Sequence, residues 1–196
     1  QYIILVLIVT GFILFGQEFI NIMWVGPEYQ EAYLMACILM IPLTIPLIQN
    51  VGLNIIQAKN QYKYRVKVLF IFAIFNLLIS IFLAKILGAL GAAIGTAISV
   101  ICGQIIYMNI FYYKKIHIDI PKFWKEIFKM SIPMIVACLV SFGIKMAIPA
   151  NTSLKIMLEI FIYVIIYSIV VWNFAMNQYE KELVKKPLRK IGGKLR

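Results

Sequence analysis

Acidic side chains are scarce: 8 Asp+Glu stand against 19 Lys+Arg, and charged residues of both signs make up only 14% of the 196 residues. A soluble domain carries roughly 25% charged residues and is about half apolar; here 63% are apolar. A fold of this length has too much exterior to hide that excess. Soluble enzymes, nucleic-acid-binding modules and disordered linkers are thereby excluded. The single histidine, His117, lies between Lys115 and Asp119 with no second His or Cys nearby. A Gly-rich phosphate loop, a carboxylate pair and an HExxH motif are all missing, so neither catalysis nor a resident cofactor or metal is expected. The three cysteines, Cys37, Cys102 and Cys138, form no CxxC pair, and each falls within an apolar run. There a thiol acts as a small hydrophobe rather than a ligand or redox partner. The start of the chain also lacks a basic n-region and a small-residue cleavage site, so its apolar run is not a signal peptide. It opens on Gln1 rather than Met, and we expect the protein to begin further upstream.

What the chain has in excess is long apolar runs. A membrane-spanning helix needs about 20 mostly apolar residues, and six runs qualify: 1–24, 33–57, 67–86, 89–112, 128–148 and 154–176. The second and fourth are the clearest, with no charge between Glu31 and Lys59 or between Lys85 and Lys114. Pro42, Pro46 and Pro133 would break soluble helices but are tolerated in membranes. No alternating pattern of barrel strands occurs. The expected fold is an all-α integral membrane protein of six transmembrane helices.

The excess of cations reads as topology. Alternate connections carry four (Lys59, Lys63, Arg65, Lys67), five (Lys114, Lys115, Lys122, Lys125, Lys129) and seven (Lys181 to Arg196), sixteen in all, leaving Lys85, Lys145 and Lys155 for the other side. By the positive-inside rule the sixteen face the cytoplasm, with both ends of the chain there. The net charge of +11 then needs no nucleic-acid partner. Trp24, Tyr29 and Tyr33 mark the outer interface, and Tyr62, Tyr64, Tyr112, Tyr113, Trp124, Trp172 and Tyr179 the inner one. Segment 119–130 reads as an interfacial helix. Ile120, Phe123, Trp124 and Ile127 lie on one face, and Lys122, Lys125, Glu126 and Lys129 on the other. The stretch 177–196 is a basic cytoplasmic tail that attracts anionic lipid.

Three polar features stand within the apolar runs. Counting about 100° per residue, Gln49, Asn50, Asn54 and Gln57 fall on one face covering less than half the circumference, with Pro42 and Pro46 on the same side. Uncharged amides in lipid must find partners. They either line a hydrated cavity for a polar or sugar-bearing substrate or glue helices together; Asn76 and Ser80, one turn apart in the third run, edge the same cavity or bond the neighbouring helix. Gly91, Gly95, Ser99 and Gly103 recur every four residues, a small-residue ridge that lets another helix approach closely. Glu18, Lys85, Lys145, Lys155 and Glu159 gather near the outer ends of the runs. There they serve ion coupling or contact with an anionic head group, or else snorkel and pair locally, as Lys155 with Glu159.

Three blocks, in order, carry a resemblance. They are Gly26-Pro27-Glu28-Tyr29-Gln30-Glu31-Ala32, the turn Gln57-Ala58-Lys59-Asn60, and Gly88-Ala89-Leu90-Gly91-Ala92-Ala93-Ile94-Gly95-Thr96. Together they resemble the carboxy-terminal half of the polysaccharide transporter (Wzx-like) flippases of the multidrug/oligosaccharidyl-lipid/polysaccharide superfamily. One departure is Leu87, where an aromatic residue usually precedes the first glycine. The resemblance covers the first four runs by motif and the last two by hydropathy alone. It implies one lobe of a MATE-like two-lobe transporter whose partner lobe, amino-terminal in the full protein, supplies half the cavity. The implied activity moves undecaprenyl-pyrophosphate-linked oligosaccharide across the bacterial cytoplasmic membrane for O-antigen, capsule or exopolysaccharide synthesis. The implied partners are the lipid-linked oligosaccharide and, in the membrane, a polysaccharide polymerase or glycosyltransferases. A multidrug antiporter of the same superfamily, a non-transporting scaffold for polysaccharide assembly, and a membrane enzyme using His117, Asp119 and Glu126 stand as alternatives.

Overall fold

The computed structural model describes residues 1–24, 26–147 and 152–192, with side chains beyond Lys186 and that of Ala147 outside the description. Every regular element among these residues is helical. Helix α1 (Tyr2–Glu18) continues as a π-helical turn (Phe19–Trp24), and a short 3-10 turn (Pro27–Tyr29) leads into α2 (Gln30–Ile48). Helix α3 (Asn50–Ala58) follows, then the long α4 (Tyr62–Val100). α4 runs through π-helical turns (Ile101–Tyr107, Tyr112–Ile116) on either side of α5 (Met108–Phe111). Helix α6 (Ile120–Ala147), α7 (Ser153–Val170) with its π-helical end (Val171–Ala175), and α8 (Gln178–Gly192) complete the chain. Five of these helical stretches are long and apolar enough to cross a membrane: Tyr2–Trp24, Pro27–Ile48, Tyr62–Ile116, Ile120–Met146 and Ser153–Ala175. The chain is accordingly an all-α, multi-pass membrane protein by length and composition.

The third stretch has 55 residues, about 80 Å if straight, against a hydrocarbon core of about 30 Å. It is not straight. At Gly88 the backbone takes φ 61° and ψ −141°, a combination open to glycine and costly for residues with a Cβ. The two arms then run back along each other. Ser99 Oγ donates to the carbonyl of Phe72 at 2.7 Å, and the hydroxyls of Tyr64 and Tyr107 meet at 2.8 Å. The ring of Tyr64 stacks on Phe111 at 4.1 Å, and Arg65 donates to the Tyr112 hydroxyl at 3.2 Å. The small-residue ridge faces the other arm: a Cβ on Gly95 would stand 2.8 Å from Ser80 Cα. Backbones approach this closely only where side chains are absent, which is how helices gain contact without a hydrophobic drive between them.

Two expected segment boundaries differ from what the backbone does. The run 33–57 is divided at Gln49 (φ −89°, ψ 13°) into α2 and α3, above two prolines that each remove a backbone donor. Segments 119–130 and 128–148 form one continuous helix, α6. Its start is fixed by Asp119, whose carboxylate accepts from the Lys122 amide at 3.1 Å, and by Pro121 in the first turn. No helix breaker follows until Pro133, so nothing in the backbone separates the amphipathic part from the apolar part. Residues 148 and 193–196 of the expected last turn and basic tail lie outside the described residues.

Two hydrophobic clusters hold the helices. One joins α1, α6 and α7 through Leu14, Phe15, Met134, Ala137, Tyr163, Tyr167 and Val171. The other joins α3 to α4 and the turns around α5, through Ile56, Val68, Met108, Phe111, Tyr112 and Ile116. Helix α2 packs on both α1 and α4 and so links them.

Candidate functional site

The four amides of the second run do not act alike. Gln49 is buried and donates through Nε2 to Asn109 Oδ1 at 2.6 Å. It lies on the side of α2 and α3 that carries Pro42, Ile48 and Ile56, all buried. Asn50 is half-buried, and Asn54 and Gln57 are exposed, on the side that also presents Leu43, Leu47 and Val51. The geometry thus separates one amide that ties helices together from two that face outward, with Asn50 between them. Asn109 escaped the sequence reading, although it and Gln104 are the only amides in an otherwise apolar run.

Asn76 accepts a hydrogen bond from Ser80 Oγ at 2.8 Å. With Phe72, Ser99, Gly103 and Gln104 it lines a cavity of about 320 Å³ between the two arms of α4. Lys85 is exposed near the Gly88 reversal. Gly91, Gly95, Ser99 and Gly103 are all buried against the other arm, which makes them packing residues.

Glu18, Lys145 and Glu159 come together where α1, α6 and α7 meet. Lys145 Nζ is 2.6 Å from Glu18 Oε1; it also donates to the Leu14 carbonyl and sits 5.6 Å from the Phe15 ring centroid. Lys145 and Glu159 line one small cavity with Phe15, Ser141, Ile144, Ile162 and Tyr163. Its volume of about 10 Å³ holds roughly one water-sized guest. Glu18 Oε2, Glu159 Oε1, Ser141 Oγ and Asn21 Oδ1 are buried without a hydrogen-bond partner. When all three groups are ionised, one ammonium faces two carboxylates, leaving one negative charge and several unpaired acceptors in surroundings where both are costly. Lys155 lies exposed, whereas Lys145 pairs with Glu18 and shares the cavity with Glu159. Ser141 was legible in principle: it stands one helical turn before Lys145. Among the described residues, no three His, Cys, Asp or Glu side chains gather as a metal-binding group.

Two of the cation-rich connections meet. Lys59 Nζ donates to the carbonyl of Ile116 at 3.0 Å, joining the loop before α4 to the one before α6. The hydroxyl of Tyr167, toward the far end of α7, donates to the carbonyl of Ile3 at 2.8 Å. Comparison with family models, with curated proteins and with solved structures finds no match.

Proposed function

We propose that the chain is one lobe of a flippase for lipid-linked oligosaccharide in the bacterial cytoplasmic membrane. It would cross the bilayer six times, with the arms of α4 counted as two crossings and the cationic connections in the cytoplasm. The observation that carries this reading is the outward display of Asn54 and Gln57, with the half-buried Asn50 beside them, from a helix broken at Gln49. Lipid chains offer an amide no partner, whereas a sugar offers hydroxyls that both donate and accept. The lipid tail stays in the bilayer beside the lobe while the saccharide passes along the amide side, which a second lobe closes. Rocking of two such lobes about a fixed site is the general route to alternating access.

The test uses the full-length protein in cells that need it for surface polysaccharide. Its depletion should raise lipid-linked saccharide on the inner leaflet, and the wild-type protein should clear it. A variant with Asn50→Leu, Asn54→Leu and Gln57→Leu should insert normally yet fail to clear it. Cysteines placed at Asn50 and Asn54 should react with a water-soluble thiol reagent. Normal clearance by the triple variant, together with inert cysteines, would sink the idea and leave a sealed scaffold.

A specific observation also favours a second reading, a cation-coupled multidrug antiporter. Glu159 leaves a carboxylate oxygen unpaired at a cavity of single-ion size, beside the Lys145 ammonium that pairs with Glu18, a geometry suited to taking up a proton or small cation. Glu18→Gln and Glu159→Gln should then abolish gradient-driven drug efflux. Unchanged efflux in both variants removes this alternative.

A further inference from the structure

Helix α8 (Gln178–Gly192) differs from the other long helices: it is polar on average and strongly two-sided. Its start is fixed by reciprocal bonds. The Glu180 amide donates to Asn177 Oδ1 and the Asn177 amide to Glu180 Oε2, both at 2.9 Å, a capping box that satisfies two orphan donors. Only Met176 and Asn177 separate it from the π-helical end of α7, and Met176 is extended (φ −81°, ψ 131°). The chain therefore turns sharply where a membrane-length helix ends, and α8 is tethered at that level.

The two sides of α8 differ in chemistry. Tyr179, Leu183 and Val184 are 71%, 52% and 40% exposed, and at about 100° per residue they share one side. Lys181 and Lys185 fall on the other and Lys186 borders Tyr179, while Glu180, on the apolar side, is turned back to accept from the Asn177 amide. Arg189, Lys190, Lys194 and Arg196 follow in sequence, which makes seven cations against Glu180 and Glu182 over residues 178–196. Lys185 Nζ lies 5.7 Å from the ring centroid of Trp172, so α8 leans back toward the end of α7 rather than away from it. Tryptophan at the end of a spanning helix marks the headgroup level.

We propose that α8 is an anionic-lipid-binding element, lying in the plane of the membrane surface with Tyr179, Leu183 and Val184 at the headgroup–acyl boundary and its lysines on lipid phosphates. Charge complementarity and the tether select this occupant: a bilayer bearing anionic headgroups is in reach of α8, and an apolar side beside lysines is how interfacial helices bind anionic lipid. The inference needs α7 to be membrane-embedded but does not depend on what the protein transports. Its failure therefore leaves the proposed flippase activity untouched.

The experiment reconstitutes the full chain in vesicles of phosphatidylcholine, with and without phosphatidylglycerol. An environment-sensitive fluorophore is attached at Leu183→Cys after Cys37→Ala, Cys102→Ala and Cys138→Ala. Quenching by lipids brominated near the headgroup should be strong in the anionic vesicles and weak in the neutral ones. Lys181→Gln, Lys185→Gln and Lys186→Gln together should reduce the anionic preference roughly a hundredfold, at about fivefold per lysine. Arginine at the same three positions should restore it, which separates charge from folding. The proposal is overturned if quenching is absent in both lipid mixtures, or if it is equally strong in both. Shielding of the probe that arises only on addition of a soluble acidic protein overturns it as well.

Discussion

Gln49 shows how much a single buried amide decides inside an apolar bundle. Its hydrogen bond to Asn109 joins the junction of α2 and α3 to α5, and neither partner has an alternative in lipid. Gln49→Leu should lower stability by about 1–2 kcal/mol because Asn109 is left unpaired. The double variant Gln49→Leu/Asn109→Leu should recover most of that loss, as two apolar groups replace a bonded pair. Thermal unfolding in one detergent measures both, and a double variant worse than the sum of the singles would refute the pairing. Lys145 carries a larger load. Lys145→Met leaves Glu18 and Glu159 facing each other without their cation, and removing one partner of a buried pair costs about 3–5 kcal/mol. The side chains retain 20% and 29% exposure, which places the expectation at the lower end. Adding Glu18→Gln to Lys145→Met should restore the melting temperature nearly to that of the parent. If it does not, the ion pair is not what holds α6 to α1.

At the scale of elements, α4 is the part that the sequence describes best, and α2 with α3 the part it describes least. The ridge Gly91, Gly95, Ser99 and Gly103 is visible because small residues recur at the helical period, and Ser80, which faces Gly95, stands out among the apolar residues opposite. Chemistry at both contact surfaces is therefore written locally. The outward and inward amides are not. A straight helix puts Gln49, Asn50, Asn54 and Gln57 on one face, but the break at Gln49 and the packing of Pro42, Ile48 and Ile56 turn Gln49 inward and leave Asn54 and Gln57 outside. That depends on partners distant in sequence, which periodicity cannot name. Glu18, Lys145 and Glu159 are legible only as three of five charges near the outer ends of the runs; their meeting depends on α6 and α7 both packing on α1. Gly95→Ala tests the ridge directly. Its Cβ would lie 2.6 Å from Ser80 Oγ and 2.8 Å from Ser80 Cα, and since backbone cannot yield like a side chain, a loss of about 1–3 kcal/mol is expected. Gly143→Ala is the matched control, because nothing lies within 4 Å of its Cβ; it should be neutral or gain up to about 1 kcal/mol of helix propensity. Equal effects at both positions, read by melting temperature, would mean that the arms of α4 do not approach as described.

The whole molecule exposes more surface than its mass alone would require. Its accessible area is 13031 Å², against about 9,500 Å² for a soluble globular protein of equal mass by the usual scaling. Phe70, Ile71, Leu77, Leu78 and Phe82 on the first arm of α4 are among the many apolar side chains left outward. The interior is correspondingly divided. Leu14, Met134 and Tyr167 belong to a cluster of α1, α6 and α7, while Met108, Ile56 and Ile116 belong to a separate one around α3 and α4. Helix α2 and the first turn of α6, where Ile120 packs against the second cluster, connect the two. Such a structure should open in two units rather than one, because weakening one core removes few contacts from the other. Met134→Ala and Met108→Ala probe this, since the two side chains are 1% and 3% exposed and each truncation should cost about 2–5 kcal/mol. In hydrogen exchange of the lipid-reconstituted chain, Met134→Ala should accelerate amides of α1, α6 and α7 and spare the arms of α4. Met108→Ala should do the reverse. Acceleration spread evenly over all helices by either variant would show one cooperative core, and the division drawn between the two clusters would then be wrong.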